Sequence, residues 1–345
     1  MTHPASSPRR VATASAVGAT IEWYDFFLYG TAAGLVFDKL FFNGLDGPAA
    51  QFAAFGTFAV GFLARPVGGL IFGHFGDRIG RKTMLIWTLV IMGAGTALIG
   101  LLPTYDQIGV WAPILLVALR ILQGIGVGGE YGGAVLLAVE FAPAERRGFF
   151  GSFAHIGVPG GLFLASGAFA LASRLPDEAF LAWGWRACFL LSVLLLAIGA
   201  WIRLSIMETP AFRQVQAEKE ISAVPVGELF RRQPRTLLLG MGTRFIEGFT
   251  FNLFSVFLLA YAVNEVGVDK STVLNAIMLG AIIGVGLVVV AARVSDKVDR
   301  KPVYTLGAVF GLVFAFPAAW LVQTGTTLGI VAAFVGGLGL IYGWV

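Results

Sequence analysis

Gly73-His74-Phe75-Gly76-Asp77-Arg78-Ile79-Gly80-Arg81-Lys82 is a short charged knot between two long apolar runs. A blurred copy returns at Ala292-Arg293-Val294-Ser295-Asp296-Lys297-Val298-Asp299-Arg300-Lys301. With Asp77 set on Asp296, Arg78 falls on Lys297, Arg81 on Arg300 and Lys82 on Lys301, at an offset of 219 residues. Each copy closes the second apolar run of its half of the chain. One carboxylate among several cations, repeated at equivalent places, is the mark of a duplicated membrane unit. The second copy is degenerate, since Asp299 stands opposite Gly80 and Ala292 opposite Gly73.

Working outward, the composition demands a membrane. The chain is 57% apolar and 13% charged, with a mean hydropathy of +0.82. Soluble domains are nearer half apolar and a quarter charged, so lipid must solvate much of this surface. The single cysteine, Cys188, excludes intramolecular disulfides and cysteine metal clusters. His3, His74 and His155 give no ligand spacing, and no cofactor motif stands out.

The expected organisation is a cytoplasmic tail over 1–10, a six-helix bundle over 11–206, a polar linker over 207–235 and a second bundle over 236–345. Spans are expected near Val11–Phe37, Ala49–Phe72, Met84–Pro103, Trp111–Ala138, Phe149–Ser173 and Ala187–Ser205. Four more follow near Thr236–Val263, Val273–Ala292, Val303–Gln323 and Thr327–Val345. Each is ~20 residues or longer, enough to cross a ~30 Å hydrocarbon core. The chain stops on an apolar stretch without a polar flank, so a chain truncated to about ten of twelve helices is expected. Lysines and arginines crowd the tail, the linker and the connections after spans 2, 4 and 8. The opposite connections hold only Lys39, Arg174, Arg186 and Lys270. That places the amino terminus in the cytoplasm, and it explains the net charge of +4 without nucleic acid.

Ionisable groups at membrane depth cost ~2.5–3.5 kcal/mol each on insertion scales. Here they are Glu22, Asp25, Arg65, Arg120, Glu130, Arg244 and Glu247. Counting 1.5 Å per residue puts Glu22 ~16 Å and Asp25 ~21 Å above the inner edge. Arg120 comes out at ~17 Å, and Arg244 and Glu247 at ~13 and ~17 Å. Arg65 and Glu130 fall near the cytoplasmic edge on the same count. Glu22 and Asp25 share a helix face, as do Arg244 and Glu247. Such groups either stitch helices together as ion pairs or form a central site. In the second case Arg120, a permanent cation, holds substrate while Asp25 or Glu22 takes up a proton, because two close acids resist double ionisation.

Aromatic neighbours such as Tyr24 could cradle a quaternary amine, or simply pack. His155 is a polar packing residue or a proton relay. Gly124, Gly126 and Gly129 match a dinucleotide fingerprint, but they lie inside a spanning run and read better as close-packing glycines. In the opening stretch Gly73, Gly76 and Gly80 permit a tight turn, and Asp77 can face a helix amino terminus. With Asp296 and Arg300 in the second copy, this reads as a conformational latch.

Gly73-x-x-x-Asp77-Arg78-x-Gly80-Arg81-Lys82 resembles the loop 2–3 signature of the major facilitator superfamily. Arg120-x-x-Gln123-Gly124-x-x-x-Gly128-x-Glu130 resembles its fourth-helix motif. Ile21-Glu22-Trp23-Tyr24-Asp25-Phe26, Ala64-Arg65-Pro66-Val67-Gly68-Gly69 and Glu208-Thr209-Pro210-Ala211-Phe212 are similar to its metabolite:proton symporters, the shikimate, dicarboxylate and proline/betaine carriers. The resemblance implies an all-α membrane protein, a twelve-helix carrier of two six-helix bundles with alternating access at a central site. The expected activity is proton-coupled symport of a small organic acid or zwitterion, with uniport, antiport or a non-transporting sensor as rival readings. Substrate contacts are expected from Arg120, Tyr24, Arg244 and Gln123, and proton coupling from Asp25, Glu22, Glu247 and His155. The latch set is Gly73, Asp77, Arg78, Gly80, Arg81, Lys82, Asp296 and Arg300. Expected partners are substrate, protons and membrane lipid, around a monomer in the plasma membrane. No H-E-x-x-H, G-x-S-x-G or paired metal ligands point to an enzyme.

Overall fold

A computed structural model describes residues 8–79, 81–128, 139, 142–204 and 233–344. The linker expected over 207–235 falls almost entirely outside the described residues, as do Gly80 and Glu130. In the rest of the opening stretch the backbone is described, whereas the side chains of Asp77, Arg78, Arg81 and Lys82 are outside the description.

Ten long helices are described: α1 Pro8–Leu35, α2 Gly47–Ile79, α3 Arg81–Leu101, α4 Trp111–Val127 and α5 Ala144–Ala172. They continue with α6 Trp185–Leu204, α7 Pro234–Asn264, α8 Lys270–Val298, α9 Arg300–Gln323 and α10 Thr327–Trp344. Seven helical stretches among the described residues are long and apolar enough to cross a membrane, those of α2 and α5 to α10. The helices begin where local chemistry lets them. Pro234 sits at the first turn of α7, where its missing N–H costs nothing. Asp269 caps α8 by accepting the Thr272 N–H at 3.2 Å, and Thr326 caps α10 by accepting that of Gly329 at 3.1 Å. α1 starts at Pro8, ahead of the expected Val11, so the last residues of the expected tail are helical.

Neither Gly73 nor Gly76 makes the turn expected there: α2 runs unbroken through both to Ile79, and α3 is described from Arg81. In the second copy α8 ends at Val298 and α9 begins at Arg300, with Asp299 alone between them. Asp299, the residue opposite Gly80, has φ +83° and ψ 161°. That region is essentially glycine's own, and a non-glycine residue there stores ~1–3 kcal/mol.

In the first half α1 packs on α5 and α6, α2 on α4, and α3 on α4 and α6. In the second, α10 packs on α8 and α9. The halves meet through α5 with α8 and through α1 with α7. Helix association in lipid depends on close packing rather than on water exclusion, which is why glycines sit at the crossings. A Cβ on Gly124 would run into the Gly61 carbonyl of α2, and one on Gly128 into that of Arg65. α5 is broken at Ile156 between the helical pieces Arg147–His155 and Gly157–Ala172, next to Pro159.

Candidate functional site

The intramembrane charges form two groups instead of one midplane site. The first is enclosed by α1 to α4. Asp25, Phe26, Arg65, Arg120 and Gln123 line a chamber of about 10 Å³. Arg120 is 2% exposed, and its guanidinium lies 4.1 Å from the Tyr29 ring centre and 5.0 Å from those of Phe26 and Phe58. Arg65 stands 4.5 Å from Phe26 and 4.6 Å from Phe62. Phe26 is therefore shared by two cations, an arrangement in which ring faces replace part of the lost hydration.

Hydrogen bonds fix the wall of the chamber. Arg120 Nη1 donates to Gln123 Oε1 at 3.3 Å, Gln123 Nε2 to Thr96 Oγ1 at 2.6 Å, and Thr96 to the Met92 carbonyl at 3.0 Å. Arg120 Nε and Nη2 and Asp25 Oδ1 are buried with no hydrogen-bond partner among the described residues. Buried polar atoms in that state ask for an occupant. A space of this size admits about one water and no metabolite. Glu22, one turn before Asp25, is 5% exposed and lies in electrostatic range of Asp25 and Arg65.

The second group lines a cavity of about 760 Å³ between the halves, bounded by α5, α7, α8, α9 and α10. Glu247 joins Arg244 on α7, one turn away, to His155 on α5, whose Nε2 is 3.7 Å from Glu247 Oε1. The His155 ring stacks on Tyr342 of α10 at 5.1 Å and 9°. Arg147, Arg300 and Tyr304 also line the space, and the Tyr304 hydroxyl donates to the Thr243 carbonyl at 2.6 Å. Sites for small ligands commonly measure ~300–1,000 Å³, so this one has room for a metabolite.

Cross-half contacts lie at both ends of the bundle. At one end Asp296 accepts the backbone N–H groups of Gly148 and Phe149 at 2.8 and 2.9 Å, and Arg300 Nη2 donates to it at 3.3 Å. At the other end Lys270 Nζ bonds Asp177 Oδ1 at 2.6 Å. Asn264 Nδ2 there donates to Gln51 Oε1 at 2.8 Å and to the Gly34 carbonyl at 3.2 Å.

Among the expected site residues, the structure brings Arg120, Gln123 and Asp25 together with Glu22 nearby. It brings Arg244, Glu247 and His155 together elsewhere. Tyr24 joins neither group: its hydroxyl donates to the Cys188 carbonyl at 2.7 Å and ties α1 to α6. Arg65, expected near the cytoplasmic edge, reaches the charged chamber from α2 and lies over Phe26. Sequence reasoning also passed over Tyr304, Tyr342 and Arg147, which flank apolar runs without any local signature.

The pattern that defines the Major Facilitator Superfamily matches residues 16–345. The chain belongs to this superfamily. It is 43% identical over 315 residues to the shikimate transporter of Escherichia coli (strain K12), across 90% of this chain and 72% of that protein. It is 41% identical to the inner membrane metabolite transport protein YhjE of the same strain, across 98% of this chain and 78% of that one. The Escherichia coli proline/betaine transporter is 37% identical across 94% of this chain and 67% of its own length. In fold the chain superposes on the partially occluded inward-open form of the Escherichia coli xylose transporter XylE. The TM-score is 0.69 at 21% identity, covering 98% of this chain and 85% of that one. The chain is thus a multi-pass membrane transport protein of the metabolite-carrying kind, and not an enzyme.

Proposed function

We propose that the chain carries a small organic anion or zwitterion together with a proton, in a plasma membrane, with its amino terminus in the cytoplasm. The observation that supports this is the size difference between the two charged sites. A 760 Å³ cavity lined by Arg147, Arg244 and Arg300 can hold a metabolite, whereas a 10 Å³ chamber can hold a proton and at most about one water.

In this reading Arg244 and His155 contact the anionic group of the substrate while Glu247 holds both in place. Asp25, with Glu22, is the proton carrier. Two arginines and Asp25 line the chamber, and Glu22 lies within electrostatic range, so the group is neutral only when both acids are ionised. Protonation of one leaves a net positive charge, which favours an anion in the neighbouring cavity; release of the proton removes that attraction. α1 carries the acids, packs on α5 beside His155 and touches α7, which supplies a mechanical route between the sites. The basic residues around Asp296, including Lys297, Arg300 and Lys301, support a cytoplasmic location for that end.

The names of the relatives nominate shikimate and betaine as first substrates to try. The test is uptake of a small panel of organic acids and betaines by the intact protein in liposomes, with and without an inward proton gradient. Accumulation above the external concentration, abolished by collapsing the gradient, is the expected result. Equilibration without accumulation would assign uniport instead.

A further inference from the structure

A third space, about 400 Å³, indents the bundle between α5, α6 and α8 and shares no lining residue with the two charged sites. Its walls include Phe163, Leu164, Leu195 and Met278, with the buried Tyr24 also against it. The surface around it is lipid-facing, with Leu171 64% exposed and Leu191 42% exposed. Two polar residues interrupt this apolar lining, Arg174 and Asn275. Both are exposed, and neither the guanidinium nor the amide has a partner among the described residues.

Their placement is graded. Arg174 follows the end of α5 at Ala172, at the level where helices leave the hydrocarbon. Asn275 is ~7 Å inside α8 from Lys270, and Met278 ~12 Å inside, with Leu164 at a similar depth on α5. From the mouth inward the order is a cation, then a neutral hydrogen-bonding group, then hydrocarbon. A phospholipid presents its phosphate, ester carbonyls and acyl chain in that same order.

We propose that this groove holds one anionic phospholipid, with its phosphate on Arg174, an ester carbonyl on the Asn275 amide and one acyl chain laid along Leu164 and Met278 toward Tyr24. An unpartnered amide at that depth is costly, and the lipid supplies its acceptor. The groove has α5 and α6 of the first half on one side and α8 of the second on the other. Bound lipid therefore favours the arrangement in which Lys270 is joined to Asp177, at the same end of the bundle.

The experiment is native mass spectrometry of the intact protein titrated with phosphatidylglycerol or with phosphatidylcholine of identical chains. We expect one retained phospholipid, with about a fivefold preference for the anionic headgroup. Arg174→Gln, an exposed change that leaves the fold intact, should remove the preference, whereas Lys39→Gln, an exposed cation outside the groove, should keep it. Gly167→Leu should lower retention of both lipids, since its Cβ would lie 3.5 Å from Met278 Cε and the rest of the side chain would fill the groove. Equal retention of the two headgroups by the unmodified protein, or an unchanged preference in Arg174→Gln, overturns the proposal. So does a dimer that disappears with Gly167→Leu, which would assign the groove to a second copy of the chain.

Discussion

Asp296, near the end of α8, accepts the backbone N–H of Gly148, in the first turn of the α5 piece Arg147–His155, at 2.8 Å and across the boundary between the halves. A carboxylate at a helix amino terminus satisfies donors that the helix itself leaves open, and it meets the positive end of the helix dipole. The contact exists only while the two halves are close at this end. Asp296→Asn keeps the shape but loses the charge, which should shift the balance between conformations by ~1–3 kcal/mol. The expected outcome is a several-fold change in uptake rate with substrate affinity altered by less than about twofold. Calorimetric binding and liposome uptake at matched protein density would separate the two; unchanged uptake would refute a latch at Asp296. By the repeat, Asp77→Asn is expected to act in the same direction.

Asp299 occupies a glycine conformation without being glycine. Its Oδ1 accepts the Arg300 N–H at 2.7 Å, which recovers part of the cost. Replacing a cap residue by glycine costs only a few tenths of a kcal/mol, less than the ~1–3 kcal/mol of backbone strain. Asp299→Gly should therefore raise the midpoint of thermal unfolding in detergent by a few degrees. A lowered midpoint would show that the cap outweighs the strain.

Coupling and binding should separate between the two charged sites. Arg244→Gln is expected to weaken substrate binding about tenfold or more. Asp25→Asn is expected to abolish gradient-driven accumulation while leaving substrate counterflow. Arg120→Gln, which alters the 10 Å³ chamber and not the larger cavity, should resemble Asp25→Asn more than Arg244→Gln. Gradient-driven uptake and counterflow on each variant decide the matter. If Asp25→Asn and Glu22→Gln both still concentrate substrate, the helix α1 acids are structural partners and coupling belongs to Glu247 and His155.

The α2–α4 crossing offers a packing test. Gly128→Ala would drive a methyl group into the Arg65 carbonyl, backbone against backbone, and should destabilise by ~1–3 kcal/mol through overpacking. Gly286→Ala on α8 meets nothing within 4 Å and should be neutral or slightly stabilising, as alanine is the better helix former. Equal effects of the two on the unfolding midpoint would contradict the crossing as described.

The helices were legible because an uninterrupted apolar run of spanning length has few alternatives in lipid. The repeat was legible because Asp77 and Asp296 stand among cations in the same order. Pair identities were less so. That Arg65 shares the Phe26 ring with Arg120 has no sequence signal, since a long side chain reaches well beyond the level of its own Cα. The separation of Arg120 from Arg244 could not be counted from depth, since equal height in a membrane says nothing about lateral position. The partner of Tyr24 has no sequence signal, because an aromatic beside an acid has the same composition whether it faces a cavity or a neighbouring helix. Its carbonyl partner at Cys188 is 164 residues away and carries no side-chain signal.

A joint of one residue has no slack. Between Val298 and Arg300 the chain has only Asp299 to bend, and that residue is already held in an unusual backbone state. Arg300 spans that joint to bond Asp296, and with Tyr304 it lines the large cavity, so loosening Asp296 from α5 disturbs the cavity wall as well.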